Sequence, residues 1–264
     1  TNDAPISNPP GGTPGVDPGV YDDTDTVAED AAAPATGNVL ANDLDPDGDT
    51  LMVSSIDGAA VATGAPATVV GTFGTITQNE DGTYSYALDN GNATVQALAV
   101  GETTTETFTY TANDGNGGTA DADLVITING INDPVQVVDP NDPSTDPTNP
   151  LYDPTNPTII ADPNNLIPDV STNDGETITA IAAGDYFADA EGDTLGFTAT
   201  DLPSGLSINP LTGEITGMIA SDASQNGNGG PGMYDVTITA TDPLGNTATT
   251  TVTFTIANLA PMAV

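Results

Sequence analysis

The chain has 264 residues, a formal net charge of −38 and no Lys, Arg or His. Without a positive side chain no salt bridge can form, and the Lys or Arg that phosphate recognition needs is missing, which excludes nucleic acid and anionic membrane surfaces as partners. Absent Cys and His remove disulfides, thiolate chemistry, the usual zinc ligands and the commonest general base.

Self-repulsion works against a compact state, yet 37% of the residues are hydrophobic and they fall in alternating runs. A folded protein whose counter-charges come from solution reconciles the two, and hard cations held by oxygen ligands suit this set of side chains. No apolar run reaches the length of a bilayer span, so membrane insertion is not expected. The opening at Thr1, without a signal-peptide pattern, reads as a piece of a longer soluble polypeptide.

In chain order, residues 6–20 (ISNPPGGTPGVDPGV) are rich in Pro and Gly and read as a linker behind the tail of a preceding unit. Next, NDLDPDGDTL (42–51) sets Asp43, Asp45, Asp47 and Asp49 at alternate positions. Asp at loop positions one, three and five with Gly48 at six copies the opening of an EF-hand loop. Ser54 stands where that loop needs a bidentate Glu, and the flanks are strand-like, so an EF-hand is not expected. TFTYTAND (107–114) alternates Phe108, Tyr110 and Ala112 against Thr, and DLVITIN (123–129) keeps the same period of two. DPNDPSTDPTNPLYDPTNP (139–157) denies backbone donors to a sheet and biases the chain to extended geometry, so it reads as an acidic spacer. Beyond it, DVTITATD (235–242) and TVTFTIA (251–257) are again strands.

The chain also resembles itself. Residues 107–128 align without a gap on 235–256, placing Asp114 on Asp242, and LDPDGDTL (44–51) aligns on ADAEGDTL (188–195). Two related units of many short strands predict an all-β protein with two tandem β-sandwich domains joined by an acidic Pro-rich linker. The expected division is 1–20 tail and linker, 21–134 first sandwich, 135–158 spacer, 159–258 second sandwich and 259–264 the next linker.

A solvated acidic turn is the plain reading of such Asp clusters. Three features favour metal. The spacing recurs as Asp189, Glu191 and Asp193; each unit carries a second acid, Asp114 or Asp242, at the end of a core strand; and no basic side chain offers an alternative partner. Ca²⁺, which takes 6–8 oxygens in flexible geometry, suits carboxylates from two loops. Paired carboxylates also serve glycoside hydrolysis, but these sit in turns and Trp is absent, so no enzyme is expected. Three further features carry less weight: NAT at Asn92 fits a glycosylation sequon, 224–233 reads as a hairpin connection, and Tyr234 reads as a core tyrosine.

Residues 23–51, 71–90 and 95–135 together resemble a VCBS-type repeat of bacterial adhesins. GDYFADAEGDTLGFTATDLPSGLSINPLTGEITG (184–217) with GMYDVTITATDPLGN (232–246) resembles the dystroglycan-type, cadherin-like repeat of the Ig type. The resemblance implies Ig/cadherin-like sandwiches within a large RTX-type surface adhesin exported by type I secretion, with several Ca²⁺ ions. It implies ligands from a linker motif, echoed by Asn2 and Asp3 and by Asn132 and Asp133. It also implies the D-x-D turns at Asp43–Asp49 and Asp189–Asp193, the late-strand Asp114 and Asp242, and first-strand carboxylates at Glu29 and Glu176. The expected function is a calcium-stabilised extender of a secreted, cell-surface bacterial adhesin, with neighbouring repeats of the same polypeptide as partners. The alternative is a glycan- or peptide-binding adhesion domain of such a protein.

Overall fold

The computed structural model describes residues 2–8, 12–141 and 166–258. Residues 142–158 of the expected spacer, the first residues of the expected second sandwich (159–165) and the closing linker 259–264 lie outside the described residues. The chain forms two compact units, Thr1–Ile131 and Asn132–Val264.

The first unit is a sandwich of two sheets. One contains β1 (Asp23–Ala28), β3 (Met52–Ile56), β4 (Ala59–Ala60), β8 (Thr103–Asn113) and β9 (Thr119–Asn129), in the order β1-β9-β8-β3-β4. The other contains β2 (Ala35–Asn38), β5 (Ala67–Val70), β6 (Gly74–Gln78) and β7 (Thr83–Leu88), in the order β2-β7-β6-β5. The period of two in β8 turns Phe108, Tyr110 and Ala112 inward, and β9 adds Leu124, Ile126 and Ile128; all six are buried. Ile76 and Tyr86 face them from the opposite sheet, with the Tyr86 and Phe108 rings 5.9 Å apart. Burial of each of Phe108, Leu124, Ile126, Ile128 and Ile76 contributes about 1.5–3 kcal/mol. β1 runs parallel to β9, while β8 and β9 form an antiparallel hairpin.

The second unit repeats this plan. β11 (Val170–Asn173), β14 (Gly196–Thr200), β17 (Met233–Thr241) and β18 (Thr247–Ala257) form one sheet in the order β11-β18-β17-β14, and β11 is again parallel to its neighbour. β12 (Ile181–Ala182), β15 (Leu206–Ile208) and β16 (Glu214–Gly217) form the second sheet, in the order β12-β16-β15. Val236, Ile238, Val252, Phe254 and Ile256 fill the core. Tyr234 is buried there and its hydroxyl donates to the Ala223 carbonyl at 2.9 Å, the core role read from its sequence context.

Residues 135–138 differ from the expected spacer. β10 (Gln136–Val137) pairs antiparallel with β13 (Phe187–Ala188), and Val135 and Val138 are buried. The apolar run Val135, Val137, Val138 gives this stretch surface to bury that the Pro-rich sequence after it lacks. The sequon at Asn92 is also accounted for locally. Its side chain accepts from the Thr94 N–H at 2.9 Å as the cap of a short helix, Ala93–Gln96, and donates to the Thr72 carbonyl at 2.9 Å.

Candidate metal centres

Each unit gathers its acids where the β8–β9 or β17–β18 hairpin turns. In the first, Asp114 is buried and its Oδ1 accepts from the Asn116 and Gly118 N–H groups at 2.7 and 2.9 Å. Its Oδ2 accepts from the Asn2 amide at 2.9 Å. In the second, Asp242 Oδ1 accepts from the Leu244 and Asn246 N–H groups, both at 2.8 Å, and its Oδ2 from the Asn132 amide at 2.9 Å. The Asn2 amide, with the backbone donors, outweighs burial and holds the Asp114 carboxyl below the usual range. Burial pulls Asp242 upward, but Asn132, Asn246 and the turn N–H groups prevail and hold it low. A carboxylate kept ionised at low solvent exposure is prepared to receive a cation.

The acidic turns lie beside these residues and share one hydrogen bond, from the N–H of Asp49 or Asp193 to Oδ1 of Asp45 or Asp189. Asp45 Oδ1 accepts from the Asp47 N–H at 2.8 Å and the Asp49 N–H at 3.3 Å; Asp189 Oδ1 accepts from the Asp193 N–H at 3.1 Å. Gly48 and Gly192 close the two turns at φ of 80° and 73°, a conformation that favours glycine. The segment entering each unit docks on the middle acid: the Asp3 N–H donates to Asp47 at 2.5 Å, and the Asp133 N–H to Glu191 at 2.7 Å. Asp49 accepts from the Asn116 amide at 2.8 Å.

The decisive feature is what these carboxylates lack. Asp45 is 6% exposed and Asp189 3%, yet the outer oxygen of each, Oδ2, is buried without a hydrogen-bond partner. Glu191 Oε2 is in the same condition, and burial, reinforced by the neighbouring Asp189 and Asp133, pushes its carboxyl up to about 7 against the pull of the Asp133 N–H. Buried acceptors without donors are costly, more so when charged. An all-oxygen donor set without nitrogen or sulfur fits a hard cation of the Ca²⁺ or Mg²⁺ type. Among the described residues, no three such side chains are already closed into a metal-holding group.

Three of the expected residues sit elsewhere. Asp43 is buried but turned away from the run it opens: its Oδ1 accepts from the Tyr21 N–H at 2.8 Å and its Oδ2 from the Tyr110 hydroxyl at 2.9 Å. Glu29 lies at the opposite end of its sandwich. Its N–H donates to the Asn129 carbonyl, and its carboxylate accepts from Gln96 at 3.3 Å and the Ile131 N–H at 3.2 Å. β8, whose first residue pairs with Asn129, has 11 residues, so about 34 Å separates that end from Asp114. Glu176 is exposed and accepts from Thr172 and the Asn173 N–H. The parallel register puts Asp174 where the first unit has Glu29: each donates its N–H to the carbonyl that ends the last strand, Asn129 or Ala257. Asp174 is buried, held by the Ser224 N–H and hydroxyl at 2.8 and 2.5 Å. Asn116 and Asn246, which donate to Asp49 and Asp242, are not singled out by the sequence reading; both lie in the Asp–x–x–x–Gly/Asn turns that the internal alignment superposes.

Comparison with known proteins agrees with the fold of two β-sandwich units. Residues 16–130 match the bacterial cadherin-like domain family, and residues 157–257 match the family described as "Putative Ig domain". The first sandwich thus matches a cadherin-like family and the second an Ig-like one. Both families are of adhesion-type modules. No curated protein matches the sequence. Among solved structures, human protocadherin-24 EC1-2 is 15% identical, with 98% of this chain and 100% of that one covered and a TM-score of 0.49. The protocadherin gamma B2 domains 1–5 are 12% identical, with 91% and 39% covered and a TM-score of 0.44. Mouse cadherin-23 EC22-24 is 14% identical, with 90% and 63% covered and a TM-score of 0.43. The chain therefore spans 39% and 63% of the length of these last two.

Proposed function

We propose that this tandem is a calcium-stabilised structural module, an extender, of a large secreted bacterial surface adhesin. The observation that carries the proposal is the pair of buried, partnerless oxygens, Asp45 Oδ2 and Asp189 Oδ2, at matching places in two units of a chain without cationic side chains. Asp45, Asp47, Asp49 and Asp114, with Asn2 and Asp3, would hold the ion in the cadherin-like domain. Asp189, Glu191, Asp193 and Asp242, with Asn132 and Asp133, would hold it in the Ig-like domain. The bound ion supplies positive charge that offsets repulsion among these acids. The chain's own groups do the rest. The turn N–H groups fix one oxygen of Asp45 and Asp189 and leave the other for the ion, while the second oxygens of Asp114 and Asp242 are steadied by the Asn2 amide and by the Asn132 and Asn246 amides. The entering segments 2–3 and 132–133 are tied to the same acids, so holding the turn also holds the entry of each domain.

A ligand bound only by the folded state stabilises it by mass action. Export in a low-calcium, loosely folded form and folding in a calcium-rich exterior follow from that coupling, and a chain without Cys needs no oxidation step. The VCBS-type likeness of the first domain and the Asp-rich composition support placement in an adhesin of the type I secretion class. Tyr21, Tyr84, Tyr86, Tyr110 and Tyr234 are all buried, spent on the two cores and not on a sugar platform. Scanning calorimetry in EGTA and in millimolar Ca²⁺ tests the proposal: calcium is expected to raise the transitions of both domains, and identical traces in the two buffers would overturn it.

A further inference from the structure

One buried polar centre belongs to the first unit alone. The Tyr110 hydroxyl, on β8 in the core, lies 2.9 Å from the Tyr21 carbonyl, 3.1 Å from Asp23 Oδ2, 3.0 Å from the Val39 carbonyl and 2.9 Å from Asp43 Oδ2. Tyr110 is 0% exposed and Asp43 7%. These four acceptors, from the strand that enters the unit and the loop after β2, gather around one atom of the central strand and share its single proton. Asp43 is the residue from which the acidic turn departs. Leu44, next along, exchanges both backbone hydrogen bonds with Gly19, at 2.7 and 2.9 Å, and Asp45 follows with its partnerless oxygen.

The second unit solves the same task differently. The alignment of 44–51 on 188–195 puts Phe187 at the place of Asp43, and that of 107–128 on 235–256 puts Ile238 at the place of Tyr110. Phe187 is buried against Phe197, with ring centroids 5.9 Å apart, and the residue after it, Ala188, is held by β10. An aromatic plug and a carboxylate–hydroxyl pair therefore occupy equivalent places, both immediately upstream of a metal-ligand turn.

We infer that Tyr110 and Asp43 are positioning residues for the cation site of the first unit: the Tyr110 hydroxyl holds Asp43, and Asp43 fixes the turn that aims Asp45, Asp47 and Asp49. Asp43 is thus an anchor in the run and not a ligand. The inference rests on the cation reading above. Partners that orient ligands from behind govern metal affinity strongly, and their loss weakens binding about 10- to 100-fold.

The test uses calcium titration calorimetry on the full chain with the second site silenced by Asp189→Asn and Asp242→Asn. Against that parent, Tyr110→Phe and Asp43→Ala are expected to weaken binding about 10- to 100-fold. Asp43→Asn is expected to keep the parental affinity, because its amide oxygen still accepts from the Tyr21 N–H and its NH₂ can donate to the Tyr110 oxygen. A ligand role for Asp43 predicts the reverse, a large loss in Asp43→Asn. Glu106→Gln serves as a control that perturbs the same core away from the turn. Its affinity stays parental if Tyr110 acts by positioning, and falls in step with stability if any core damage suffices. Parental affinity in Tyr110→Phe, or a loss in Asp43→Asn equal to that in Asp43→Ala, overturns the anchor alone; a parent that binds no calcium overturns the cation reading and the anchor with it. Should Tyr110→Phe fail to fold, judged by near-ultraviolet circular dichroism, the Asp43→Asn and Asp43→Ala pair decides the question.

Discussion

Replacing Asp45 by Asn separates the two roles its carboxylate combines. Oδ1 accepts from the Asp47 and Asp49 N–H groups, and Oδ2 accepts from nothing. Asn keeps the first function and exchanges the second for a neutral NH₂ group. In chelator the substitution removes a buried acceptor oxygen that has no donor, a feature costing on the order of 1–3 kcal/mol. The variant is therefore at least as stable as the parent there. In calcium at about 100 times the dissociation constant, the parent gains about 2.7 kcal/mol that the variant forgoes. For a domain slightly above 100 residues, at about 4 °C per kcal/mol, that is a deficit of ~10 °C. The expected result is a change of sign: Asp45→Asn melts at or above the parental temperature in EGTA and well below it in calcium. Asp189→Asn should do the same in the second unit, where Glu191 Oε2 is a second buried oxygen without a donor. Scanning calorimetry of the two variants in the two buffers supplies all the comparisons. An equal drop in both buffers would show that Asp45 matters only as an acceptor for its own turn, and would refute the reasoning.

Asp242→Ala should abolish the calcium response of the second unit's transition and leave that of the first; an equal loss in both would contradict the assignment of a separate site to each. Burial pushes Asp23 up to about 7 and Asp43 up to about 6. A raised folded pKa favours the protonated form, so in chelator the stability tied to these groups is fully present below about pH 4 and is lost as pH rises toward 7. Asp114, held low, works in the opposite sense, contributing above about pH 4 and failing as pH falls further. A melting temperature of the first unit that climbs between pH 5 and 8 in EGTA would count against this. Glu106→Ala removes the acceptor for the Thr72 and Phe73 N–H groups and for the hydroxyl of fully buried Tyr86. Urea unfolding should show the first unit weakened by about 2–4 kcal/mol, and a loss under about 0.5 kcal/mol would show that water replaces the carboxylate.

Much of this architecture can be read directly from periodicity. The alternation in 107–114 and 123–129 specifies β8, β9 and their inward faces, and the gapless self-alignment carries the same hairpin to β17 and β18. It also brings Asp114 and Asp242 to matching turns, because the spacing from strand end to acid is preserved. What the sequence conceals is which way a side chain faces once the strict alternation ends. Asp43 looks like the first of four equal acids, and only the Tyr110 hydroxyl and Tyr21 N–H, distant in sequence, show that it faces the core. The first-strand carboxylate of the second unit was misplaced by two residues, at Glu176 and not Asp174, since parallel pairing leaves no local turn to count from. A signal was nevertheless present. Glu29 is followed by Asp30 and Asp174 by Gly175, both in the left-handed region at φ of 56° and 74°, and acid followed by a residue tolerant of that conformation is a pattern the two segments share. Val135 and Val138 were assigned to the spacer because the proline density beyond them dominates the composition of the whole stretch.

The parallel pairing of first and last strands gives each unit a mechanical character. Tension entering along β1 and leaving along β9 pulls the two strands in opposite directions along their own axes. The evenly spaced, slanted hydrogen bonds of a parallel pair are then sheared together instead of being unzipped one at a time. The first unit presents six registered pairs to such a load, from Asp23 against Leu124 to Ala28 against Asn129. The second presents four, from Val170 against Phe254 to Asn173 against Ala257. Counted by this pairing alone, the second unit offers the shorter shear contact of the two.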